Sequence, residues 1–151
     1  MRLVIQRVKN ASVDVPDQGY RAEIGDGLLV LAAFIDEDTQ DDLEWSARKL
    51  VAMRIFDDAQ GVMNLSVKDV EGEIMVVSQF TLYASTVKGN RPSYIKAAKP
   101  EIAVPLYEKF VSLVKEQSGR EVKRGIFGAD MKVSLLNDGP VTIIVDSKLK
   151  F

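Results

Sequence analysis

Apolar and polar positions alternate from the first residues. Leu3, Ile5 and Arg7 fall on one side of an extended segment and Val4, Gln6 and Val8 on the other, and the pattern resumes through Ser12-Val13-Asp14-Val15. A period of two predicts a strand. Tyr20 to Ile24 is a shorter strand, and Gly25-Asp26-Gly27 predicts a turn after it. Leu28 to Ile35 is an unbroken apolar run, as expected of a strand buried on both faces. The period then changes. Leu43, Ala47, Leu50, Val51 and Arg54 or Ile55 share one face of a helix that reaches about Ile55. A turn at Asp57-Asp58-Ala59-Gln60-Gly61 leads into a short segment through Met63, Leu65 and Val67, and Glu71-Gly72 turns again. Glu73 to Phe80 is the strongest predicted strand and runs into Thr81-Leu82-Tyr83.

Residues 84–99 carry no periodicity. A second helix covers about Glu101 to Gln117, with Val104, Tyr107, Phe110, Val111 and Val114 as its apolar stripe. Pro100 suits the first helical position, Ser118-Gly119 ends the helix, and Pro105 argues for an irregular first turn or a later start. Segments Glu121 to Phe127, Met131 to Leu136 and Val141 to Val145 predict the last strands. Strands around two helices, without βαβ alternation, predict an α+β fold with a mainly antiparallel, barrel-like sheet. Residues 1–151 read as a single domain, with no repeat or linker.

Composition narrows the chemistry. An apolar fraction of 46% and a charged fraction of 28% are those of an ordinary soluble globular protein. No apolar run approaches the roughly 18 residues of a membrane span and the start does not read as a signal peptide, so the expected compartment is cytoplasmic. There is no cysteine and no histidine. That excludes disulfides, thiol nucleophiles, zinc-thiolate sites, a Ser-His-Asp triad and an imidazole base. Catalysis here must use hydroxyls, carboxylates, amines, backbone groups or the substrate itself. Asp36, Glu37, Asp38, Asp41, Asp42 and Glu44 form an acidic patch. A metal cluster is one reading. The favoured one is a helix start, where acids suit the macrodipole and Asp38 or Thr39 caps the first turn. No metal or cofactor is expected.

Three segments are candidates for chemistry. Ser78-Gln79-Phe80-Thr81 brings two hydroxyls and an amide to the end of a buried strand, where backbone amides can face a ligand oxygen. The bland reading is that these hydroxyls satisfy the strand end. Lys88-Gly89-Asn90-Arg91-Pro92-Ser93-Tyr94 lies in a loop that carries Lys88, Arg91, Lys96 and Lys99 and no acid. It is either a phosphate-binding loop or a solvated one. Arg120, Lys123, Arg124 and Lys132 form a second net-positive region. Asn137-Asp138-Gly139-Pro140-Val141-Thr142 reads as a hairpin turn, or as a Gly-Pro element whose fixed carbonyls could read stereochemistry.

Taken together, these segments resemble the D-aminoacyl-tRNA deacylase family, as do Ile5-Gln6-Arg7-Val8, Ala11-Ser12-Val13 and Arg54-Ile55-Phe56. The order, the spacing and the total length all agree. The resemblance implies a homodimeric hydrolase that removes D-amino acids from tRNA, and also glycine mischarged on tRNA-Ala. It implies that Gly139-Pro140 is a cis-Pro element entering the partner's pocket and rejecting L-amino acids, with Arg7 bracing it. It places Ser78, Gln79, Phe80 and Thr81 at the reaction centre, and Phe127 and Met131 on the terminal adenine. Lys88 and Arg91 are expected on the tRNA. Tyr94 departs from the family, where Phe is frequent. An aminoacyl ester is already activated and a ribose 2′-hydroxyl lies beside it, so the missing histidine is no obstacle. Amides near Phe80 and Thr81 would face the oxyanion. Thr81 as a covalent nucleophile is the less favoured version, because nothing in the sequence activates it. Two other classes stay open: a non-catalytic module that binds the tRNA acceptor end, and a dimerisation scaffold.

Overall fold

The computed structural model describes residues 1–151. Its frame is one long hairpin. β1 (Arg2–Val15) is covered along one edge by β2 (Tyr20–Ile24) and β3 (Gly27–Ala33), both antiparallel to it. Residues 15 to 11 of β1 pair with β2 and residues 8 to 2 with β3, so Gly25-Asp26 interrupts one descending strand and does not reverse the chain as predicted. Gly27 is required there, because a Cβ would strike the backbone of Glu73 on the neighbouring strand.

The next strands are parallel. β6 (Glu73–Ser78) runs alongside β3, and β7 (Val122–Arg124) alongside β6. Helix α1 (Gln40–Ala52) lies in the connection from β3 to β6, together with the short ribbon β4 (Phe56–Asp57) and β5 (Met63–Leu65). Helix α2 (Pro100–Ser118) lies in the connection from β6 to β7. Both helices are therefore crossovers between parallel neighbours, as parallel pairing requires. The sequence hides this, because a ribbon and a long loop separate each helix from its strands. The fold is α+β with a mixed sheet, antiparallel around β1. The sheet curls into a nearly closed barrel, and β2 meets β7 where the Tyr20 hydroxyl donates to the Arg124 carbonyl at 2.6 Å.

The apolar runs are buried on both faces, as predicted. Leu28, Val30, Ala32, Ile74 and Val76 pack under the two helices with Leu43, Leu50, Phe110 and Val114. Leu29, Met75 and Val77 face the barrel interior with Val8, Val13 and Ile24. Thr39 caps α1 in a capping box with Asp42. Asp38 pairs with the N-terminal amine and Asp42 with Lys148, and no three carboxylates are grouped to hold a metal ion. Helix α1 ends at Ala52, short of Ile55, whose carbonyl is taken by the Arg7 guanidinium. Helix α2 absorbs Pro105 on its exposed side and starts at Pro100 without an irregular turn. Neither helix is long and apolar enough to cross a membrane.

The last strand carries the largest departure from the sequence reading. Residues 131–136 and 141–145 are not two arms of a hairpin. They belong to one strand, β8 (Lys132–Asp146), and both halves pair antiparallel with the free edge of β1. Thr142 pairs with Gln6 and Asn137 with Val8, so Asp138 to Val141 all stand opposite Arg7 as a bulge. Within it the Gly139-Pro140 peptide is cis.

Candidate active site

β6 and β7 part company at one rung. Their ladder ends at Val76 and Arg124, while β6 runs on to Ser78 and Gln79 continues the contact with β3 by donating its N–H to the Ala32 carbonyl at 2.7 Å. After Arg124 the chain swings away through Gly125 to Met131 before entering β8. Gly125 permits this, since a Cβ there would collide with the Met131 sulfur.

A cavity of about 250 Å³ opens between the two segments. Ser78, Gln79 and Phe80 form one wall and residues 127–131 the other, including Phe127 and Met131. The floor is hollow because Ala32, Ala33, Ala98 and Ala103 carry only methyl groups there. Asp130 is the one ionisable side chain on the lining, and Lys132 pairs with it at 3.0 Å. No free acid or base faces the cavity.

The chain after β6 turns into a single 3-10 turn over Phe80–Tyr83. The first amides of such a turn have no partner inside it. Leu82 donates back to Gln79 and Ala84 to Thr81, whereas the N–H groups of Phe80 and Thr81 donate to no acceptor in the chain. Thr81 stands just outside the cavity lining. Its hydroxyl oxygen accepts a hydrogen bond from the Gln79 side-chain amide. A donor on that oxygen does nothing to remove its proton.

The basic loop meets this wall through aromatics. Tyr94 packs edge-on against Phe80, with ring centroids 5.2 Å apart, and Ser85 and Ser93 pin the loop's two arms by paired backbone hydrogen bonds. Lys88 and Arg91 lie on the exposed tip and have no carboxylate partner. In the second net-positive region, Arg124 and Lys132 are paired with carboxylates, and Arg120 and Lys123 are not. Arg124 is held by Glu108 through two hydrogen bonds, and those bonds hold the Glu108 carboxyl below its ordinary range; Lys132 is held by Asp130.

Arg7, Gly139 and Pro140 sit elsewhere. None of them lines the cavity. Arg7 is buried and donates to the carbonyls of Asp138 at 3.0 Å and Ile55 at 2.7 Å. Asn137 closes the bulge from its other side. Its side-chain N–H donates to the Val141 carbonyl at 3.1 Å, and the Val141 N–H donates to its side-chain oxygen at 2.9 Å. This amide imitates the missing partner strand, a role that sequence reasoning missed, although an Asn just before Asp-Gly-Pro was a visible signal. Gly139 has φ +138, and a Cβ on it would lie 3.2 Å from the Arg7 guanidinium and 3.0 Å from the Val141 nitrogen. Gly139 and Pro140 are exposed.

Comparisons with known proteins place the chain in a family. A family model described as D-Tyr-tRNA(Tyr) deacylase matches residues 4–146. The D-aminoacyl-tRNA deacylase of Flavobacterium psychrophilum is 61% identical over 150 residues, covering 99% of each chain, and that of Porphyromonas gingivalis is 55% identical over the same length. A solved structure titled c-Myc DNA Unwinding Element Binding Protein superposes with a TM-score of 0.89 at 41% identity, over 97% of this chain and 98% of that one. A probable eukaryotic D-amino acid tRNA deacylase shares the fold at a TM-score of 0.83 and 20% identity, over 95% and 97% of the two chains. With a family model spanning nearly all of it and relatives this similar end to end, the chain belongs to the D-Tyr-tRNA(Tyr) deacylase family.

Proposed function

We propose that this protein hydrolyses the ester of D-aminoacyl-tRNA to free D-amino acid and tRNA, and acts likewise on glycine mischarged on tRNA-Ala. The observation that carries the reading is the cavity. It unites Ser78-Gln79-Phe80 with Phe127 and Met131, segments far apart in sequence, and presents no free acid or base. Its volume is below the roughly 300 Å³ at which ordinary small-molecule sites begin, so it suits a base rather than a whole aminoacyl-adenosine. Phe127 and Met131 hold the terminal adenine. The ester then lies over the rim, beside the unpartnered amides of Phe80 and Thr81, which receive the developing oxyanion. Water adds to the acyl carbon, the acyl C–O bond breaks, and the ribose oxygen leaves with a proton relayed by the neighbouring ribose hydroxyl. Positioning supplies most of the acceleration. Thr81 orients the site through Gln79 and does not attack. Lys88 and Arg91 contact tRNA phosphates.

The amino-acid side of the site comes from a second copy. Gly139 and Pro140 are exposed on a bulge held rigid by Arg7 and Asn137, yet they do not reach their own chain's cavity. β8 is an edge strand with exposed Leu135, Leu136 and Ile144, a surface suited to a twofold partner. Inserted into the partner's site, the bulge carbonyls accept from the substrate amine and leave no room for an L side chain. Glycine has no side chain to exclude, so its ester is cleaved too.

Paired deacylation assays on D- and L-tyrosyl-tRNA test the reading. Release of D-tyrosine with the L-ester spared is expected; equal rates on both would end the chirality argument. The solved relative titled as a DNA-element binding protein, with the unpartnered Lys88 and Arg91, favours a second reading: a module that binds an acceptor end and leaves both esters intact.

A further inference from the structure

The cavity begins where the β6–β7 ladder stops, and something must hold the ladder's end open. At the last rung, Val76 opposite Arg124, both carbonyls accept a hydrogen bond from a tyrosine. The Tyr107 hydroxyl donates to Val76 at 2.9 Å and the Tyr20 hydroxyl to Arg124 at 2.6 Å. Tyr20 opens β2 and Tyr107 lies within α2, so the two reach the rung from different elements. Tyr107 also supports the cavity wall. Its ring packs on Phe127 at 5.8 Å and on Phe34 at 6.4 Å, and both of those line the cavity. The Arg124 guanidinium lies over the Tyr107 ring at 5.3 Å, steadied by Glu108.

A buried carbonyl takes whatever donor is at hand. The Val76 carbonyl faces the gap, and without the Tyr107 hydroxyl its nearest candidates are backbone amides across it; the Arg124 carbonyl faces the other way, toward β2, where Tyr20 anchors the end of β7. Continued pairing would bring the segment after Arg124 to about 4.8 Å from β6 and close the hollow. We propose that Tyr107 and Tyr20 are positioning residues for the adenosine cleft: the Tyr107 hydroxyl occupies the Val76 carbonyl where the ladder ends, the Tyr20 hydroxyl ties Arg124 to β2 on the far side, and together they set the distance between the Ser78-Gln79-Phe80 wall and the Phe127–Met131 wall. Neither touches the reacting atoms, so their loss weakens nucleoside binding and leaves chemistry on bound substrate intact.

This inference rests on reading the cleft as the adenosine site, and one experiment separates the two. Adenosine monophosphate binding, KM and kcat on D-tyrosyl-tRNA, and Tm are measured for wild type, Phe127→Ala, Tyr107→Phe and Tyr20→Phe. Phe127→Ala is expected to weaken nucleotide binding; unchanged binding would overturn the adenosine reading and the inference with it. Tyr107→Phe keeps the ring and is expected to raise KM about tenfold with kcat within about twofold, the scale of one lost hydrogen bond. Tyr20→Phe, at a half-buried position, gives the same KM-only pattern at about threefold and stands in if Tyr107→Phe does not fold. If Phe127→Ala weakens binding while the tyrosine variants lower Tm alone, with wild-type KM and nucleotide affinity, the positioning role is wrong.

Discussion

The sheet is interrupted twice, and the two interruptions have opposite shapes. Between β6 and residues 125–131 the strands separate into a concave cleft with an alanine floor and aromatic walls, its last carbonyls held by tyrosine hydroxyls. In β8 the interruption is convex. Asp138 to Val141 stand out from the sheet, gripped from below by Arg7 and across the neck by Asn137. The one charge on the cleft lining, Asp130, is paired with Lys132, and the walls carry no free acid or base. The bulge offers rigid carbonyls but no hollow to hold a substrate. Each has what the other lacks, and one chain keeps them apart. That complementarity is the physical reason to place a complete site between two copies.

The largest effect is expected at the tip of the bulge. Gly139→Ala puts a methyl at a positive φ, against Arg7 and Val141, and displaces the carbonyls without touching the cleft. Steady-state rates on D-tyrosyl-tRNA should fall about a hundredfold, as for other displacements near 1 Å, with nucleotide binding unchanged. Loss of nucleotide binding as well would erase the distinction between the two regions. Arg7→Ala comes next. It strands the carbonyls of Ile55 and Asp138 and should cost about 2–3 kcal/mol in denaturant unfolding, with activity reduced at temperatures where the variant is still folded. Arg7→Lys should restore little, since one ammonium cannot span both carbonyls.

A smaller effect is expected in the cleft wall. Thr81→Ala removes a hydroxyl that already accepts from Gln79, and should slow single-turnover hydrolysis by less than about tenfold. Complete loss, with an acyl intermediate trapped on the wild type, would make the threonine a nucleophile.

Much of the fold could be read in the chain and one class of feature could not. The doubly apolar runs at Leu28 to Ile35 and Ile74 to Val77 announced strands buried on both faces. Asp38 or Thr39 announced the start of α1, and Thr39 is the cap. On one side of the cleft, Ser78-Gln79-Phe80-Thr81 stood out as a strand end with hydroxyls; Phe127 and Met131 on the other side entered only through the family resemblance. Gly25-Asp26 and Gly139-Pro140 misled, because a break within a strand and a reversal between strands use the same residues, and only the partner strand decides between them. The alanine floor and the tyrosine caps were invisible for a related reason. They matter through contacts across the sheet that no local spacing encodes.

The smallest effect tests the frame far from both regions. Burial raises the Asp42 carboxyl, but hydrogen bonds from Lys148 and from Thr39 outweigh it and hold it well below the usual range. A carboxylate depressed in the folded state contributes stability above its unfolded value of about 3.9 and loses it as pH falls further. Asp42→Ala should therefore cost about 1 kcal/mol at pH 7, flatten the loss of stability below about pH 4, and leave deacylation unchanged.

Mixing two crippled chains examines the shared site most directly. One chain carries Gly139→Ala; the other carries Gln79→Ala with Phe127→Ala. After subunit exchange, a mixed pair joins an intact cleft to an intact bulge at one of its two sites, so an equimolar mixture should regain about a quarter of the wild-type rate on D-tyrosyl-tRNA. A mixture no more active than the average of its two components would contradict a site built from both chains.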